Sequence, residues 1–168
     1  MEKKLICGKK YEFSHQTIQL PISLENLPEE IKVKGDTFYF PSSFHVSLVY
    51  IGKIIEKYSI SIPNFENKII EDFCNFVKTD KVELVTYTNE YKFAFRNNLK
   101  TVVVMCEVSN INKFFDLINK KYRLNIRYPV THVTLYNTLK GKPGIYLMDS
   151  EDIENFTVPI ENPIGRSL

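Results

Sequence analysis

The chain of 168 residues holds no tryptophan, only three cysteines and three histidines, and no long apolar run. Each scarcity excludes something. Without a stretch near the roughly 18 apolar residues a membrane helix needs, no span is expected. The beginning, Met1-Glu-Lys-Lys-Leu-Ile-Cys, has charge but no apolar core, so no signal peptide is expected either. Cys7, Cys74 and Cys106 are odd in number, far apart and unpatterned. That argues against a disulfide framework and a zinc knuckle, and the expectation is reduced thiols in a cytoplasmic, intracellular protein. A net charge of +2 is too small to announce a nucleic-acid binder, although a local basic groove would suffice. No Walker loop and no G-x-G-x-x-G occurs, which disfavours ATPase-type hydrolysis and dinucleotide cofactors. With 43% hydrophobic and 25% charged residues, the composition is that of one ordinary globular domain over residues 1–168.

What is present is mostly strand pattern. Tyr11 to Leu20 reads as a strand. Ile31 to Val33 and Phe38 to Phe40 read as a hairpin around Lys34-Gly35-Asp36-Thr37. Phe44 to Ile51 is a further strand, stopping at Gly52. Ile69, Ile70, Phe73, Cys74, Phe76 and Val77 fit a helical period over Phe65 to Lys78, with Asn64 as cap. Val82 to Thr88, Tyr91 to Arg96 and Leu99 to Val108 follow as strands. Asn110 opens a second helix with Ile111, Phe114, Phe115 and Ile118 as its apolar stripe. Thr131 to Tyr136 and Ile145 to Met148 are strands, separated by a loop with Gly141, Pro143 and Gly144. One helical turn after Ser150 and a strand from Phe156 to Ile160 close the pattern.

Two of these strands carry nearly the same five residues: Phe44-His-Val-Ser-Leu48 and Thr131-His-Val-Thr-Leu135. Alternation puts His45 with Ser47 on one face, and His132 with Thr134 on one face. Val46, Leu48, Val133 and Leu135 take the opposite faces. Tyr136 shares the parity of His132 and Thr134, which makes it a candidate for stacking on a base. Tyr11, Tyr39 and Lys142 are further substrate-binding candidates. The run Lys120 to Tyr128 is the most basic stretch, though cations at a helix C-terminus are commonly solvated there. His15 would be the third histidine of a metal site, but no ligand spacing supports one, and no cofactor is expected.

Two His-x-(Ser/Thr)-hydrophobic motifs, 87 residues apart from position 45 to position 132, resemble the two-histidine phosphoesterase superfamily. That superfamily includes bacterial RNA ligase/cyclic phosphodiesterases and several viral phosphodiesterases. The resemblance implies an α+β bilobal duplication, with two antiparallel sheets flanking a concave cleft and helices outside. It also implies one motif strand from each lobe, with His45, Ser47, His132 and Thr134 catalytic. The implied activity is metal-independent cleavage of an RNA-type phosphodiester in RNA, a short oligonucleotide or a cyclic oligonucleotide. No membrane or obligate protein partner is expected. One histidine takes a proton from the attacking hydroxyl and the other supplies one to the leaving oxygen. Which does which is open in the sequence. A 2′,3′-cyclic nucleotide phosphodiesterase, an RNA end-processing enzyme and a non-catalytic nucleic-acid-binding module are the alternatives.

Overall fold

The computed structural model describes residues 3–142 and 144–168, so Pro143 of the expected loop and the first two residues lie outside the described residues. The chain opens with β1 (Lys4–Ile6), β2 (Tyr11–Ser14) and β3 (Thr17–Ile22). Then come β4 (Glu30–Val33), β5 (Asp36–Tyr39) and the first motif strand, β6 (Phe44–Tyr50). Helices α1 (Ile51–Lys57) and α2 (Phe65–Phe76) precede the long strands β7 (Leu84–Arg96) and β8 (Leu99–Val108). Helix α3 (Ile111–Tyr122), the second motif strand β9 (His132–Asn137), α4 (Ser150–Phe156) and β10 (Thr157–Ile160) complete the described elements. No helix among them is long and apolar enough to cross a membrane.

The strands form one antiparallel sheet in the order β1-β2-β3-β6-β9-β8-β7-β10, with the β4–β5 hairpin joined to β9 through Tyr39 and Asn137. This overturns the expected pair of sheets flanking a cleft. The motif strands are hydrogen-bonded neighbours, Val46 paired with Val133, so they cannot line opposite lobes. The physical reason lies in the strand backs. Val46 and Val133 are both fully buried, and pairing their strands directly satisfies the backbone while burying both apolar faces together. The described residues are mostly β with four short helices, not an α+β duplication.

By its contacts the chain divides into two compact units. The first holds residues up to Pro21, with Ser47–Leu84 and Val108–Pro129. Its core is aromatic: Tyr11 and Phe114 each meet Phe73 edge-on, at 5.0 and 5.2 Å between ring centres. Helices α2 and α3 supply the stripes anticipated from the 3.6-residue period, with Ile69, Phe73, Phe114 and Ile118 buried. Asn64 and Asn110 stand before these helices in the left-handed conformation and give no side-chain cap. Cys7 and Cys74 form a disulfide, against the expectation of reduced thiols, while Cys106 is free and buried. A bond between residues 67 apart in sequence follows from tertiary packing, which Cys spacing does not reveal.

The second unit holds Ile22–Val46, Val85–Glu107 and Val130–Leu168. Strand β8 is its spine, buried without interruption from Thr101 to Cys106. Arg96 fastens the C-terminal part to β7. It pairs with Asp152 at 3.2 Å, donates to the Tyr146 carbonyl at 3.1 Å and lies over the Tyr146 and Phe156 rings. Asp149 caps α4 by accepting from the backbone of Glu151 and Asp152.

Candidate active site

Both motif histidines lie in the second unit, on adjacent strands. The antiparallel register through Val46 and Val133 sets His45 across from Thr134. Directly opposed residues hold their Cβ atoms about 4.5–5.5 Å apart and diagonal ones stand roughly 7–8 Å apart. The His45 and His132 residues are therefore diagonal neighbours on one face of the sheet. Val46 and Val133 take the other face, and both are fully buried.

His132 is buried, and its cross-strand neighbour on β8 is Met105. Its Nδ1 lies 3.3 Å from the Val130 carbonyl oxygen. A carbonyl only accepts, so the Nδ1–H donates and the lone pair resides on Nε2. Burial pulls the His132 pKa below its ordinary value, and the Val130 hydrogen bond opposes this more weakly. The imidazole is accordingly neutral at pH 7, with its basic nitrogen fixed. His45 is half-buried. Thr134 is half-buried, whereas every other residue of β9 is buried. Ser47 follows His45 on the same face of β6, is 9% exposed, and falls in the first unit.

Tyr136 does not share this face. Val103 opposes Thr134 but Val102 opposes Tyr136, so Leu135 has no opposite number on β8. An extra residue of this kind resets the alternation. Tyr136 is turned into the core, fully buried, with its hydroxyl donating to the Pro28 carbonyl at 2.8 Å. Burial pushes its phenol up to about 12. It is a structural donor, not a stacking platform. Tyr11 also leaves the candidate set: it is fully buried in the first unit and donates to the Val82 carbonyl at 2.9 Å.

Tyr39 and Lys142 stay near the site. Tyr39 is half-buried on β5 and pairs with Asn137 at the end of β9. The Lys140 ammonium stands 5.9 Å from its ring centre. Lys142 is exposed, and its carbonyl accepts from the Asn137 amide at 2.8 Å. Two contributors escaped the sequence reading. Asn137 is buried and bonded at both ends of its amide. At Gly144 a Cβ would lie 2.9 Å from Thr134 Cγ2 and 3.0 Å from Thr134 Oγ1. The glycine in Gly-Lys-Pro-Gly reads as ordinary loop punctuation, and only the fold reveals its closeness to Thr134.

The basic stretch is largely occupied with structure. Lys121 pairs with Asp72 at 2.6 Å, Tyr122 also donates to Asp72, and Tyr128 donates to Asp116. His15 sits exposed in the turn between β2 and β3, with Nδ1 2.9 Å from the Ser14 hydroxyl. Among the described residues no three His, Cys, Asp or Glu side chains converge as a metal site would require. Comparison of the chain with protein-family models, curated proteins and solved structures finds no match.

Proposed function

We propose that the protein is a metal-independent phosphodiesterase that cleaves RNA-type phosphodiester bonds of a short or cyclic oligonucleotide. The observation that carries this reading is the pairing of Val46 with Val133, which puts His45, His132 and Thr134 on one face of neighbouring strands. The resemblance of the two motifs to those of the two-histidine phosphoesterases supports the same chemistry. His132 is the base. Its Nε2 takes the proton of the ribose hydroxyl next to the scissile bond, and that oxygen attacks phosphorus. His45 is the acid and protonates the departing ribose oxygen. Thr134 donates its hydroxyl to a non-bridging oxygen as charge builds there. The product is a 2′,3′-cyclic phosphate, or a phosphomonoester once water has opened it.

The test is product analysis in EDTA on a panel of 2′,5′ and 3′,5′ diadenylates, cyclic di- and trinucleotides, short RNA and 2′,3′-cyclic AMP. Wild type should cleave at least one compound to cyclic-phosphate or phosphomonoester ends. His45→Ala and His132→Ala should each lose about 10² or more in rate. Losses of less than about tenfold for either variant would remove it from the acid–base pair. Binding without turnover by wild type would make the chain a nucleic-acid-binding module.

A further inference from the structure

The segment from Asn137 to Lys142, beside Thr134, is held by a set of hydrogen bonds. Asn137 holds it from within. Its Oδ1 accepts from the Thr101 hydroxyl at 2.8 Å, which orients the amide, and its Nδ2 donates to the Lys142 carbonyl at 2.8 Å. The Lys142 N–H in turn donates to the Leu139 carbonyl at 3.2 Å, closing the turn. The Thr138 N–H donates to the Lys100 carbonyl at 3.3 Å, tying the start of the loop to β8. At the far end Gly144 lies beside the Thr134 side chain, where a Cβ would stand 2.9 Å from Thr134 Cγ2. Lys140 and Lys142 are exposed, and neither forms an ion pair with a described carboxylate. Two residues of chain span at most about 7 Å. The Lys142 backbone therefore stands no more than about that distance from Gly144, so its side chain starts close to Thr134. Tyr39, under Lys140, borders the same place.

We infer that residues 138–142 form a phosphate-holding arm, pinned by the buried Asn137, and that the substrate carries a second phosphate next to the scissile one. This rests on the proposed phosphodiesterase reading and narrows it. The preferred class is an oligonucleotide with at least two phosphates, in place of a mononucleotide cyclic phosphate. Asn137 is a positioning residue: it sets where the lysines stand and does not touch substrate.

The experiment is calorimetric binding at low salt to His45→Ala protein, which does not consume the probe. The probes are diadenylate with and without a 5′-phosphate. Two exposed lysine–phosphate pairs at about 0.5–1 kcal/mol each correspond to tighter binding of the phosphorylated probe by roughly 5- to 30-fold. Lys140→Ala with Lys142→Ala should bring the ratio close to one, and Asn137→Ala should lower it. Equal affinities, no measurable binding of the phosphorylated probe at millimolar concentration, or a preference that survives the lysine changes would overturn the inference. A ratio untouched by Asn137→Ala would overturn the pinning role. Wild-type turnover of the same probes separates the two ideas. Cleavage of both probes with equal affinities sinks the arm and keeps the phosphodiesterase. Preferential binding without any cleavage sinks the phosphodiesterase and keeps the arm as a phosphate site.

Discussion

The neutral, buried state of His132 makes a prediction that needs no substrate. Replace His132 by Asn, whose amide can still donate to the Val130 carbonyl, and follow folding stability against pH by urea denaturation. In the unfolded chain His132 titrates near 6.5. In the folded protein burial holds its pKa below that value. Between the two, the unfolded state takes up a proton that the folded state refuses. The stability associated with His132 is therefore complete above pH 6.5 and is lost as the pH falls through the folded pKa. One proton is at stake, so the slope is at most about 1.4 kcal/mol per pH unit. Between pH 7.5 and 5.5 the wild type should lose up to about 1.4 kcal/mol more than His132→Asn. That is a visible fraction of the roughly 5–15 kcal/mol by which domains are stable. Other titrating groups act on both proteins alike, so the difference between the two curves belongs to His132. Parallel curves would refute the neutral buried imidazole and with it the assignment of His132 as base. The same assignment places the acid limb of kcat/KM below the ordinary imidazole value. An acid limb at or above pH 6.5 would contradict it.

Other substitutions probe the surroundings. Gly144→Ala brings a methyl against Thr134 at 2.9 Å, and the displacement should cost on the order of 10² in kcat/KM. A rate unchanged by it would show that the Thr134 hydroxyl is not placed by this contact. Cys74→Ser opens a link between residues 67 apart. By loop-closure entropy it should cost roughly 4 kcal/mol, checked by thermal melting with and without a thiol reductant. A wild-type melt indifferent to reductant would refute the disulfide. Arg96→Ala leaves the Asp152 carboxylate, 12% exposed, without its cation. That should cost about 3–5 kcal/mol in denaturant titration, and a loss below 1 kcal/mol would show that water reaches the carboxylate.

Local regularities were readable in the chain. Strand β8 and helix α3 lie where continuous β-branched residues and a 3.6-residue stripe placed them, because both patterns are short-range consequences of burial. The β2–β3 hairpin was read as one strand, because its turn is made by His15 and Gln16 at φ of 50° and 54°. Neither residue announces a left-handed turn as Asn-Gly would. Helix α1 was missed because Gly52 looks like a stop. It is a site of close approach, where a Cβ would lie 2.5 Å from the Gln16 side chain. At the candidate site the histidines and hydroxyls were legible from alternation alone. Tyr136 was misplaced because alternation fails at one residue, Leu135, and a bulge has no composition of its own. The disulfide, the Asn137 tether and the joining of the motif strands in one sheet are long-range facts, absent from any local window.

Placing both histidines through one sheet register has a consequence for how the site is maintained. A slip of one residue between β6 and β9 would exchange the face held by His132 and Thr134 with the face held by Val133 and Leu135. That would take a buried imidazole and two fully buried apolar side chains out of their own packing, so packing on both faces guards the alignment. The register slip beside Leu135 adds a second lock, since a sliding β9 would have to move its unopposed residue along β8. The third lock is at the strand end, where Asn137 is held by Thr101 on β8 and paired with Tyr39 on β5. Substitutions at Leu135 or Thr101 touch none of the reacting groups of the proposed mechanism. They should nevertheless lower turnover in proportion to how far they loosen this alignment. Thr101→Val is the sharper case, because it frees the Asn137 amide while keeping the shape of the β8 side chain. Its effect should appear in turnover and in the preference for a second phosphate together, and a change in stability alone would deny that the strand end aligns the site.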